Sequence, residues 1–158
     1  MSSFIKYWLP PLLWASLVSI CSSDSFSSDN TSPLFVPLFQ WLLPHATPEL
    51  VHAIHHFVRK VGHFTEFFVL AMLLYRGLRS GRGMHWQWRV AAWTLSLVLM
   101  YAVADEVHQR FVPTRTAVWS DSLLDFFGGC CAVALLYARY RAKAGAMTPA
   151  VVSDPYGN

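Results

Sequence analysis

Apolar residues along this chain gather into four long runs, Tyr7 to Ile20, Phe64 to Tyr75, Val90 to Ala104 and Val118 to Tyr140, with charged segments between them. The third run has no charge between Arg89 and Asp105. A helix rises about 1.5 Å per residue and the hydrocarbon core of a bilayer is about 30 Å thick, so a crossing takes roughly 20 residues. The second and fourth runs reach that length only by taking in ionisable groups. The pattern predicts an all-α, polytopic membrane protein, a bundle of about four transmembrane helices at about 5–21, 57–76, 89–108 and 118–139. These form a single transmembrane domain over 1–143, followed by a disordered cytoplasmic tail over 144–158.

The segments between the runs carry their own signals. Ser22 to Ser32 is rich in serine, with Asp24, Asp29 and Asn30, and reads as a loop. Leu34 to Leu43 is apolar, but Pro37 interrupts it and Pro44 closes it. It is too short to cross, so an interfacial or re-entrant piece is expected, with Trp41 at headgroup level. Thr47-Pro48-Glu49 is a helix start, with Thr as N-cap, Pro at the first helical position and Glu in the first turn. A short interfacial helix before the second span follows, with Val51, Ile54 and Val58 on one side and His52, His55, His56 and Arg59 on the other. Gly77 to Gly83 breaks the helical pattern before the third run.

Composition narrows the class. Hydrophobic residues make up 54% of the 158 and charged residues 13%, well below the charged share of an ordinary soluble domain. The basic residues flank apolar runs rather than forming a stripe with aromatics, which excludes nucleic acid as a partner. Cys21, Cys130 and Cys131 form neither a disulfide framework nor a zinc site. The N-terminal run, with Lys6 as its basic flank and no good small-residue cleavage pattern, reads as an uncleaved signal anchor.

The Lys and Arg bias sets orientation. Lys6, the Arg76–Arg89 segment and Arg139, Arg141 and Lys143 fall on one side of a four-span bundle, holding eight of the twelve basic residues. That side is the cytoplasm, which makes the chain a multi-pass protein of the cytoplasmic membrane with both termini inside. Measured outward from Arg76, Glu66 lies about 15 Å and His63 about 20 Å up. From Arg89, Asp105 and Glu106 lie about 24–26 Å up; from Arg139, Asp125 lies about 21 Å and Asp121 about 27 Å up. Three helices thus carry ionisable groups into the outer half of the bilayer. Lys60, His63 and Glu66 share a face at i, i+3, i+6; Asp105 and Gln109 are i, i+4; Asp121, Asp125 and Gly128 are i, i+4, i+7. Charges in hydrocarbon are costly, so these groups are expected to face one another, with Lys60, Arg110 and Arg115 against the carboxylates.

Three motifs carry a resemblance. K-V-G-H-F-T-E-F over 60–67, Y-A-V-A-D-E-V-H-Q-R-F-V-P-T-R over 101–115 and D-S-L-L-D-F-F-G over 121–128 resemble the VanZ-like membrane proteins in order and spacing. Asp125 stands where many of that family carry Asn, and Thr114 where Gly is common. The family is named for a protein linked to low-level teicoplanin resistance. The resemblance implies a place in the bacterial cell envelope, contact with membrane lipids, and a lipid-linked envelope precursor or glycopeptide as partner. It implies no reaction and no cofactor.

The cluster admits several chemistries. His63, Glu66, Asp105 and Glu106 are the candidates for acid–base catalysis on a lipid-linked or phospholipid headgroup. Lys60, Gln109, Arg115, Asp121 and Asp125 are the candidates for holding a ligand, Arg115 by a two-pronged contact. No nucleophile motif is present. His63 and Glu66, spaced i, i+3, with Asp105 and Glu106, also suit a hard or first-row cation. A non-catalytic binding pocket open to the outer surface fits the same residues. So does a buried ion-pair network that only fixes helix register. His52, His55, His56 and His108 are expected to be interfacial polar residues.

Overall fold

The computed structural model describes residues 3–23, 28–81, 85–111 and 118–146. Arg115, a predicted ligand-holding residue, and the tail beyond 146 lie outside the described residues. The described chain is all α, with five helices: α1 (Ser3–Cys21), α2 (Ser28–Leu42), α3 (Pro48–Arg79), α4 (Trp88–Gln109) and α5 (Trp119–Ala146).

Local chemistry explains the boundaries. Thr47 caps α3, its hydroxyl accepting from the Leu50 N–H at 3.4 Å, with Pro48 following and Glu49 in the first turn. The far end of α3 closes on Ser80 in the left-handed region, φ 46°, followed by Gly81 at φ 73°. The apolar run 34–43, expected to be an interfacial or re-entrant piece, lies almost wholly in α2, and helix already begins at Ser28 inside the expected loop. Pro33 and Pro37 each remove one backbone donor from α2 without ending it.

Contacts at the two ends fix the helix directions. At one end, Tyr75 of α3 stacks on Trp86 just before α4, with ring centroids 5.2 Å apart, and Trp86 meets Tyr137 and Tyr140 of α5. The Tyr7 carbonyl near the start of α1 lies against Gly77 at the same end. Arg76, Arg79, Arg89 and Arg139 stand on the helix ends gathered there. At the other end, Ser22 just past α1 meets Asp105 late in α4. Helices α1 and α4 therefore run opposite to α3 and α5.

Between these ends lie two apolar layers. Tyr75, Val90, Ala91 and Val133 fill the layer nearer the arginines. Val18, Phe67, Leu70, Ala71, Val98, Ala102 and Ala132 fill the next. Helix α3 is central, packing against α1, α4 and α5 in the bundle and against α2 outside it.

The outer surface is apolar. Leu12, Leu13, Ile20, Trp93, Met100, Leu123 and Phe127 are each more than half exposed. A soluble protein does not leave continuous apolar faces of this kind in water, whereas lipid accepts them. Helices α1, α4 and α5 are long and apolar enough to cross a membrane. Helix α3 does not meet that standard; its N-terminal half carries histidines, Arg59 and Lys60, and Glu66 follows.

One face assignment changes. His55, expected on the polar side of α3 with His52 and His56, is only 2% exposed, while Val58 is 42% exposed. The buried stripe is Val51 and His55, at i, i+4, because α2 covers it. The His55 ring stacks on Phe35 at 5.3 Å, and Thr31 Oγ1 lies 3.2 Å from Nε2. Burial is the main cause that lowers the His55 pKa from its ordinary value, with Arg59, His56 and His52 adding repulsion.

Candidate polar site between three helices

Above the second apolar layer the core turns polar. Asp105, Glu106 and Gln109 of α4 and Ser122 and Asp125 of α5 are all buried, with His63 and Glu66 of α3 at their edge. Two glycines make this convergence possible. A Cβ on Gly128 would lie 2.5 Å from the Phe64 carbonyl oxygen of α3, and one on Gly129 would lie 2.7 Å from Val98 Cγ1 of α4. Neither distance accommodates a methyl group, so glycine is what lets α5 settle against both neighbours at this level.

Asp105 is the best-supported member. Its Oδ2 accepts from Ser22 Oγ at 2.8 Å and from Gln109 Nε2 at 2.7 Å. Both bonds are short and lie in a buried setting. Beneath it a hydroxyl relay ties α1 to α4: Ser19 donates to Tyr101 Oη at 2.7 Å, and Tyr101 donates to the Ala15 carbonyl at 2.6 Å. Trp14 Nε1 donates to the backbone carbonyl of Glu66 at 2.9 Å, fixing α3 at the height of the acids. Ser122 donates to the Ala102 carbonyl at 3.3 Å, tying α5 to α4.

His63, Asp105 and Asp125 come together, each offering a ligand atom within 4.8 Å of the other two. His63 Nδ1 also lies 3.7 Å from Glu66 Oε2. Asp125 is 4% exposed and Glu106 2% exposed, yet Asp125 Oδ1 and Glu106 Oε1 have no hydrogen-bond partner among the described residues. Asp125 feels Asp105, Asp121, Glu66 and Glu106, all of one sign. Buried polar atoms are nearly always satisfied, so two orphaned carboxylate oxygens in one cluster require an explanation.

The predicted residues therefore divide. His63, Asp105 and Asp125 form the centre; Glu66 attaches through His63 and Gln109 through Asp105. Asp121 is not in the buried centre. It pairs at 3.0 Å with Lys60 at the rim, where the two side chains are 39% and 54% exposed. The guanidinium of Arg110 lies over the Trp119 ring, 4.3 Å from its centroid. His52, His56 and His108 are exposed and stand outside the cluster. Ser22, Ser122, Tyr101 and Trp14 contribute hydrogen bonds that the motif reading did not assign. Ser22 had a signal in the sequence, as the first polar residue after Cys21 at the end of an apolar run.

The family model described as VanZ/LLP1 matches residues 7–140, a stretch containing every residue of the cluster. No curated protein and no solved structure matches this chain.

Proposed function

This chain belongs to the VanZ/LLP1 family, and from that premise we propose that it is a multi-pass cell-envelope protein whose polar cluster binds the headgroup of a lipid-linked envelope precursor. In this reading α3 is a fourth span. It packs against three helices that are apolar enough to cross, and its His63 and Lys60 meet acids of α4 and α5. Four antiparallel spans leave both termini in the cytoplasm with the arginine-bearing end, and the cluster opens to the outer leaflet.

The observation that carries the binding reading is the pair of orphaned oxygens, Asp125 Oδ1 and Glu106 Oε1. A network kept only for helix register would satisfy its members, because a half-satisfied buried network costs more than an apolar core. Groups held unsatisfied suit a ligand that completes them. Carboxylates accept from sugar hydroxyls, amines and amide N–H groups, all present on a glycan- or peptide-bearing headgroup. The phosphate of such a lipid is repelled by the acids and requires a cation; Lys60 and Arg115 are the candidates the sequence supplies. His63, Asp105 and Asp125, with Glu66 and Glu106 beside them, form the inner wall of the site, and Lys60, Gln109, Arg115 and Asp121 are the further candidates for holding the ligand. Teicoplanin tolerance would follow from sequestering such a precursor.

The test uses purified protein in nanodiscs with and without a polyprenyl-pyrophosphate-linked disaccharide-peptide. Melting temperature should rise by several degrees with the lipid for wild type and not for Asp105→Asn. A rise of equal size in that variant, or none in wild type, refutes the reading. Teicoplanin susceptibility of a host expressing each form then tests the link to tolerance.

A further inference from the structure

We infer that His63, Asp105 and Asp125 form a binding site for one first-row divalent cation, Zn²⁺ or Mn²⁺, at the floor of the polar cluster. The inference rests on reading that cluster as a ligand site.

Three observations carry it. First, the donors converge from three separate helices, with ligand atoms all within 4.8 Å of one another. Metal–ligand bonds of about 2.0–2.3 Å place donor atoms roughly 3–4.5 Å apart, so the cage is close to the required size without a ligand changing helix. Second, Asp125, whose carboxylate is one of the three donors, is 4% exposed, and its Oδ1 has no hydrogen-bond partner among the described residues. An unpaired carboxylate oxygen in a buried, low-dielectric setting is stabilised most by direct coordination of a cation. Third, Asp105 is already oriented. Ser22 and Gln109 both donate to Oδ2, the kind of outer hydrogen bonding that aims a ligating carboxylate.

Charge and ligand type select the ion. Two carboxylates and a neutral imidazole compensate a divalent cation fully, and the cation favours holding both aspartates ionised side by side. An imidazole among oxygen donors favours a first-row metal over Mg²⁺ or Ca²⁺, which take oxygen alone. Lys60 pairs with Asp121 at the exposed rim and does not stand at the floor of the cluster. Three protein ligands leave coordination positions open toward that rim, where the phosphate of a bound headgroup would complete the shell. The cation thereby lets an acid-rich site hold an anionic lipid.

The experiment strips purified full-length protein with a chelator, dialyses it against Zn²⁺ or Mn²⁺ in detergent, and measures retained metal and the melting temperature. Wild type should retain about one equivalent and melt several degrees higher with metal than without. His52→Ala and His108→Ala, which remove exposed imidazoles, should behave as wild type. Asp125→Asn should lose both the metal and the shift; if it fails to fold, His63→Ala at the edge of the cluster gives the same readout. No metal retained by wild type, or full retention by Asp125→Asn or His63→Ala, overturns the inference. If wild type holds no metal but still responds to the lipid, the cation site is wrong and the headgroup reading stands. If it holds metal and ignores the lipid, the cation site stands and the headgroup reading falls.

Discussion

Gly128 of α5 lies against the backbone carbonyl of Phe64 in α3 so closely that a Cβ at this position would come 2.5 Å from the carbonyl oxygen. That oxygen belongs to a helix backbone and does not swing aside. The contact sits between His63 and Asp125, one residue from the first and three from the second, so it sets the spacing of the site as well as the packing of the bundle. Gly128→Ala should destabilise the protein by about 1–3 kcal/mol, seen as a lower melting temperature in detergent. It should also weaken whatever the cluster binds by more than stability alone explains. A melting temperature equal to wild type would mean that the two helices are not held this close.

Asp105 should depend on its two donors. Removing a hydrogen bond to a buried charged group costs about 1.5–3 kcal/mol, so Ser22→Ala and Gln109→Leu should each lower the melting temperature measurably. The effects should not add, because both donors serve one oxygen. Additive losses in the double variant would show that the two bonds are independent.

Removing an unsatisfied buried acid should do the opposite. Glu106→Gln and Asp125→Asn take a buried, unpaired carboxylate out of a like-charged neighbourhood. In protein free of ligand and metal each should melt at or above the wild-type temperature, as happens when a charge is held for function against folding. A drop of several degrees in both variants would support the alternative of a register-fixing network. Lys60→Ala, at the exposed rim, should change stability by no more than about 1 kcal/mol.

Acid should loosen α2 from α3. His55 is buried under α2 and its pKa is lowered from the ordinary imidazole value, first by desolvation and then by Arg59, His56 and His52. In the folded state it binds its proton more weakly than in the unfolded chain. Its contribution is therefore present above about pH 6.5 and is lost as pH falls from there through the lower folded value. Amide exchange in residues 28–42 should accelerate between pH 7 and pH 5 in wild type and lose most of that dependence in His55→Gln. Equal pH dependence in both would refute the assignment.

The number of crossings has a direct test. With four spans, green fluorescent protein fused after residue 146 should fluoresce and alkaline phosphatase fused there should be inactive. If α3 does not cross, three spans put that end outside and the two reporters exchange behaviour.

Much of this molecule is legible in the chain itself. The apolar runs locate α1, α4 and α5, and Thr47-Pro48-Glu49 locates the start of α3, because length, composition and capping act within a few residues. Depth along a helix follows from residue count alone, so His63, Asp105 and Asp125 could be placed at one level before their contacts were known. Rotation and approach could not. Which acids meet depends on the phase of each helix about its axis and on how near Gly128 and Gly129 let α5 come, and both are properties of pairs of helices. The same holds for Asp121 at the rim beside Lys60, for Ser22 reaching Asp105 from a segment read as loop, and for His55 beneath α2. The sequence by itself determined α1, α4, α5 and the start of α3, and where along those helices the charges stand; only tertiary packing decided which of those charges share a site, because that choice is made by side chains brought together from different helices.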